Sequence, residues 1–276
     1  MHKERGEKMN LELKPTYENI IKTINEDVLG RNDILKRFVK ILYLIKDVNI
    51  ISLNGEWGSG KTFFVHQVME VIKNLNCVES DIDPKIKKFI DEFKFTQLHD
   101  INIESELYPI YYNAWEYDSN EDPLLTLIYS IIDQNPNLKA MEEKSETIKE
   151  KISRIISNFK IGLSYQDSYG KSMGLELQYN PKEQTKLTKD VYSVEEVKNT
   201  FKELLGEIMV EKTNKLVIFV DELDRCNPIF AVKLLERIKH FFDDERFIFV
   251  FSTNLNELQY TIKKFYGEGI NRISIS

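Results

Sequence analysis

The stretch SLNGEWGSGKTFF, residues 52–64, constrains the fold more than any other part of the chain. Gly55 to Thr62 follow the spacing G-x-x-x-x-G-K-[ST], with Gly55, Gly60, Lys61 and Thr62 in the fixed places. Such a loop cradles phosphate only where it joins a buried strand to a helix. Its backbone N–H groups then converge, and the helix N-terminus adds its partial positive charge. Both flanks comply. Upstream, VNIISLN (48–54) is a short apolar, β-branched run suited to a central strand. Downstream, KTFFVHQVMEVIKNL (61–75) places Phe64, Val65, Val68, Val71, Ile72 and Leu75 at helical spacing.

The residue types then acquire roles. Gly55 and Gly60 allow a close backbone approach that a Cβ would block. Glu56, Trp57, Gly58 and Ser59 supply the backbone between them, and Phe63 continues the helix start. Lys61 is a compact cation for the β- and γ-phosphates of ATP. Thr62 offers a hydroxyl to Mg²⁺, a hard cation that prefers oxygen.

A phosphate loop also requires a carboxylate on a neighbouring strand to hold the metal. KLVIFVDELDRC (215–226) runs apolar from Leu216 to Val220 and then turns to Asp221 and Glu222. This is the pattern of a buried parallel strand with acids at its carboxyl end, where open α/β sheets bind ligands. Asp221 is the candidate Mg²⁺ partner, and Glu222 the residue that polarises the attacking water. RFIFVFSTN (246–254) repeats the pattern with a polar end. There Thr253 or Asn254 contacts the γ-phosphate or orients water, with Asn254 slightly favoured, or else caps the next turn. Arg225 has two readings as well: a pairing with Asp224, or an arginine finger toward a neighbouring subunit.

Around these motifs the pattern is that of one α/β domain of 276 residues. Two N-terminal helices fall at about 16–26 and 32–45, separated by Gly30, and they either place Arg31 near the adenine or cover one sheet face. Residues 77–107 form a mixed, charged insertion, and YPIYYNAWEYD (108–118) gives a strand. A helix follows at 121–133, with Pro123 in its first turn. A charged helix (138–158), a hairpin (160–179) and a sheet-packing helix (194–211) come next. Asn227 and Pro228 open a helix to 242 as N-cap and first residue.

Composition narrows the classes. A formal charge of −7 argues against a general nucleic-acid surface, and no stretch is long and apolar enough for a membrane helix. Cys77 and Cys226 have no metal-ligand spacing, and no secretion signal opens the chain, so reduced thiols in the cytoplasm are expected. No guanine-reading NKxD stretch is present.

The combination of LGR (29–31), GEWGSGKT, YYNAWEYD, FVDELDRCNP with LLERIKHFF, and FSTNLNELQYTIKKFYGEG resembles the KAP family of P-loop NTPases over roughly 28–269. The resemblance implies a three-layer α/β/α sandwich on a mostly parallel sheet, of the type in which an additional strand separates the phosphate loop from the Walker B strand. It implies an ATPase that works as a switch, in phage exclusion or as a membrane-associated signalling scaffold, with a second copy or another protein as partner. Gly55 to Thr62 match the family's phosphate loop, Asp221 and Glu222 its Walker B acids, and Asp224 and Arg225 its DR pair. Many members of that family carry paired membrane helices between these motifs, whereas 134–193 is charged here, so at most a peripheral membrane association is expected. The chain stops at GEGINRISIS, about where relatives begin a helical lid, so a single domain is expected whose lid is either cut off by truncation or absent. A nucleotide-binding module with little hydrolysis is the alternative reading; a phosphotransferase fits less well, since its acceptor would displace Glu222.

Overall fold

The computed structural model describes residues 14–46, 50–99, 106–119, 123–134, 199, 203, 215–242 and 244–266. The charged helix and hairpin expected within 138–179, and nearly all of the helix expected over 194–211, lie outside them. The chain divides into two compact units, one of 1–119, 215–232 and 244–276, the other of 120–214 and 233–243.

The first unit holds a four-stranded, all-parallel sheet of β1 (Ile50–Asn54), β2 (Leu107–Asn113), β3 (Lys215–Asp221) and β4 (Phe247–Thr253). The strands lie in the order β1-β4-β3-β2. β4 therefore separates the phosphate-loop strand from the Asp221 strand, as the additional-strand arrangement demands. Among the described residues β1 is an edge strand rather than the central one its apolar run implied. It pairs with β4 alone, and its residues alternate between exposed and half-buried.

Helices α1 (Tyr17–Glu26), α2 (Asn32–Leu44), α3 (Lys61–Leu75) and α4 (Lys87–Phe93) share one core with the sheet. Ile24, Leu35, Val39, Val65, Val68 and Ile72 meet Val217, Phe219, Ile248 and Val250 there. Burying each such side chain contributes about 1.5–3 kcal/mol, which sets α3 firmly against the sheet. Within the stretch read as a mixed insertion, α4 continues into a single π-helical turn, Lys94–Leu98. Between α1 and α2, Asp27 adopts a left-handed backbone (φ 46°), and its carboxylate accepts from the backbone N–H groups of Arg31 and Asn32. This tight turn fixes where Arg31 leaves the helix pair.

The helix α5 (Pro123–Gln134), in the second unit, buries Leu124, Leu127, Ile128 and Ile131 along one stripe. The helix α6 (Pro228–Phe241) starts as the sequence predicts: the Asn227 side chain accepts from the Ile229 N–H at 2.9 Å. The helix α7 (Leu255–Tyr266) closes the described chain.

Candidate active site

The parallel sheet brings the ends of β1, β3 and β4 together with the first turn of α3. Gly60 turns the chain into α3 through a left-handed backbone (φ 83°), and an added Cβ would lie 3.2 Å from the Arg31 guanidinium. Arg31 donates to the Ser59 carbonyl at 3.1 Å, so it braces the phosphate loop directly instead of merely covering a sheet face. Lys61 folds into the loop: its ammonium donates to the carbonyls of Gly55 at 2.7 Å and Glu56 at 3.0 Å. An ammonium held by two exposed or half-exposed carbonyls can transfer to phosphate oxygens with little rearrangement.

Asp221 is the centre of the other half. It is 2% exposed. One carboxylate oxygen accepts from the Thr62 hydroxyl at 2.6 Å and the Tyr111 hydroxyl at 3.1 Å, and the other from the Glu222 backbone N–H at 3.0 Å. Burying a carboxylate is costly without such hydrogen-bond partners. Burial, then the charge of Asp221 and its hydrogen bond, push the Tyr111 phenol well above its ordinary range, so it stays a donor. His66, one turn beyond Thr62 on α3, lies against the Tyr111 ring with centroids 4.7 Å apart. Burial lowers its pKa; Asp221 opposes the shift and Lys73 adds to it.

Glu222 occupies a left-handed backbone (φ 58°), a conformation costly for a residue with a side chain. The kink turns it out of β3 and starts a 3₁₀ turn, Leu223–Arg225. Arg225 pairs not with Asp224, as one reading of the sequence had it, but with Glu222, at 2.7 Å. Its guanidinium also lies over the Trp115 ring, 5.9 Å from the centroid. Asp224 instead accepts from the Trp57 indole N–H at 2.6 Å, tying the phosphate loop to this turn. Neither pairing follows from spacing, since one partner of each comes from a different element or a local kink. Cys226 is buried, and its thiol is pushed up to about 12 by burial first and by Asp118, Asp224 and Glu222 next.

At the end of β4, Ser252 and Thr253 are fully buried with hydroxyls that have no hydrogen-bond partner among the described residues. The Asn254 side chain accepts from the Asn256 N–H at 3.2 Å, and Asn54, at the end of β1, accepts from the Leu255 N–H at 3.1 Å. Both asparagines thus cap the start of α7. Of the residues picked from sequence, Lys61, Thr62, Asp221, Glu222 and Arg225 stand in one hydrogen-bonded or adjoining set with the loop. Tyr111 and the Trp57–Asp224 bond escaped the sequence reading.

The sequence model of the KAP family P-loop domain matches residues 14–274. The chain belongs to the KAP family of P-loop domains. An uncharacterized protein of Methanocaldococcus jannaschii is 27% identical over 173 residues, covering 50% of this chain and 86% of that protein. A P-loop domain of this kind binds nucleotide, and the spacing G-x-x-x-x-G-K-[ST] falls at 55–62. Among the described residues no helix is long and apolar enough to cross a membrane. Nor do three or more His, Cys, Asp or Glu side chains cluster there as a metal cage. The oxygen pair of Thr62 and Asp221 nevertheless suits Mg²⁺, which takes one or two protein oxygens and completes its shell with water and phosphate.

Proposed function

We propose that this KAP-family chain binds Mg-ATP on residues 55–62 and hydrolyses it as a conformational switch. The observation that carries the reading is the 2.6 Å bond between Thr62 and Asp221, which joins the loop to the acidic strand end with Glu222 next in line. Bound Mg²⁺ would neutralise charge on the phosphates. The residues do the rest. The loop N–H groups and Lys61 hold the phosphates, Thr62 and Asp221 offer oxygens for the metal, and Glu222 orients a water on the γ-phosphate. The switch setting we favour is phage defence or membrane-associated signalling, with the chain in the cytoplasm or peripheral to a membrane and a second copy or protein partner completing the site.

One observation favours the second reading, a nucleotide-binding module with little turnover: the Glu222 carboxylate is engaged by Arg225. Glu222→Gln separates the two. The variant keeps size and hydrogen bonding but loses the basic oxygen, so ATP binding persists while phosphate release falls by about 100-fold. Equal release by a measurably active parent and the variant would remove Glu222 from catalysis. No release by the parent, with candidate partners added, would favour the module.

A further inference from the structure

We infer that Tyr111 is a positioning residue that fixes the Asp221 carboxylate for the metal, an inference that rests on the Mg-nucleotide reading of this site. In sheet register Tyr111 faces Phe219 and Asn113 faces Asp221. The pleat therefore puts Tyr111, Phe219 and Asp221 on one face, the face that α3 covers. Thr62 and His66 stand one turn apart on that helix. The result is a block of four side chains: the Thr62 and Tyr111 hydroxyls converge on one oxygen of Asp221, and His66 packs on the Tyr111 ring.

The two hydroxyls differ in what they can do. The Thr62 oxygen keeps lone pairs free for a cation while its proton stays on Asp221. Tyr111 reaches Asp221 from β2, and its ring packs against His66. It can only donate. A donor held in this way locks the plane of the carboxylate before any ion arrives, so no reorganisation is required when one does. Partners in this outer position typically change metal affinity by 10- to 100-fold when removed.

The test is Tyr111→Phe, which keeps the ring on His66 and removes one oxygen. ATP affinity is measured by calorimetry across a Mg²⁺ series and again in EDTA. The expected result is an unchanged affinity in EDTA and a Mg²⁺ requirement raised by about tenfold or more. A purely structural role would lower the melting temperature and leave the Mg²⁺ requirement where it was. Should Tyr111→Phe not fold, His66→Ala and His66→Phe take its place. Loss of the supporting ring raises the Mg²⁺ requirement and its replacement by phenyl does not. A Mg²⁺ requirement equal to the parent's in Tyr111→Phe, or in His66→Ala, overturns the inference and leaves the nucleotide reading standing. A parent that binds ATP in neither condition overturns both.

Discussion

Trp57 presents a test in which exposure and energetic weight part company. The side chain is 57% exposed, and an ordinary exposed Trp→Phe change stays within about 0.5 kcal/mol. Its indole N–H, however, donates at 2.6 Å to Asp224, which is only 8% exposed. Among the described residues no other donor reaches that carboxylate. Trp57→Phe keeps the ring and strands the acid. A hydrogen bond to a charged group contributes about 1.5–3 kcal/mol, so the expected loss is about 2 kcal/mol. For a chain of this size that lowers the melting temperature by about 4–8 °C. The assay is thermal unfolding of four proteins: parent, Trp57→Phe, Asp224→Asn and the double variant. With the charge removed, losing the indole donor should cost about 1 kcal/mol, the value of a neutral bond, leaving a coupling of similar size. A Trp57→Phe protein melting within a degree of the parent, or equal costs in both backgrounds, refutes the tether.

Lys61→Ala should lose about 2 kcal/mol of phosphate contact, or about 30-fold in the Kd for Mg-ATP by calorimetry, and a Kd within threefold of the parent's would refute that contact. His66 supplies a pH dependence: its folded pKa is lowered, chiefly by burial, with Asp221 and Lys73 the charged groups that face it. Unfolding therefore takes up a proton in acid, so the stabilisation is complete above about pH 6.5 and is lost as pH falls from there toward the folded pKa. Melting curves of the parent from pH 8 to pH 5 should fall more steeply than those of His66→Phe, and parallel curves would contradict this.

The elements with a strong hydrophobic period are legible in the chain's residues alone. The α3 helix runs over Lys61–Leu75, the span its apolar spacing gives, and α2 ends one residue inside its expected limit. Gly30 does turn the chain between α1 and α2, with φ 59°. The strand–loop–helix junction and the acid-ended strand are legible too: α3 begins at Lys61 and β3 ends on Asp221. What escapes has a common cause. Tyr111 meets Asp221 across 110 positions and Trp57 meets Asp224 across 167, and such meetings depend on strand order, which local pattern does not carry. The Arg225 pairing escapes for another reason. Glu222 looks like a continuation of β3, and only its left-handed kink brings its carboxylate to Arg225. The edge position of β1 is hidden because Ile50 and Ile51 read as core while strand pairing exposes every second residue.

The additional strand explains why the site tolerates so many breaches of local preference. β4 runs apolar from Phe247 to Phe251 and could end in alanine or valine without loss to the core. It ends instead in Ser252 and Thr253, whose buried hydroxyls lack partners among the described residues; an unpaired buried hydroxyl costs about 1–3 kcal/mol. Their register places them: Ser252 lies beside Asp221, and Thr253 beside Asn54 where β1 passes into the phosphate loop. Glu222 adds its left-handed backbone at the same edge. Strain and unpaired polar groups gather where function outweighs stability. Here they gather at the carboxyl edge of a parallel sheet, between a loop of N–H donors and a buried acid. A polar ligand standing over the end of β4 would meet donors from the loop on one side and Asp221 on the other. That setting supports the proposed placement of a triphosphate with its cation.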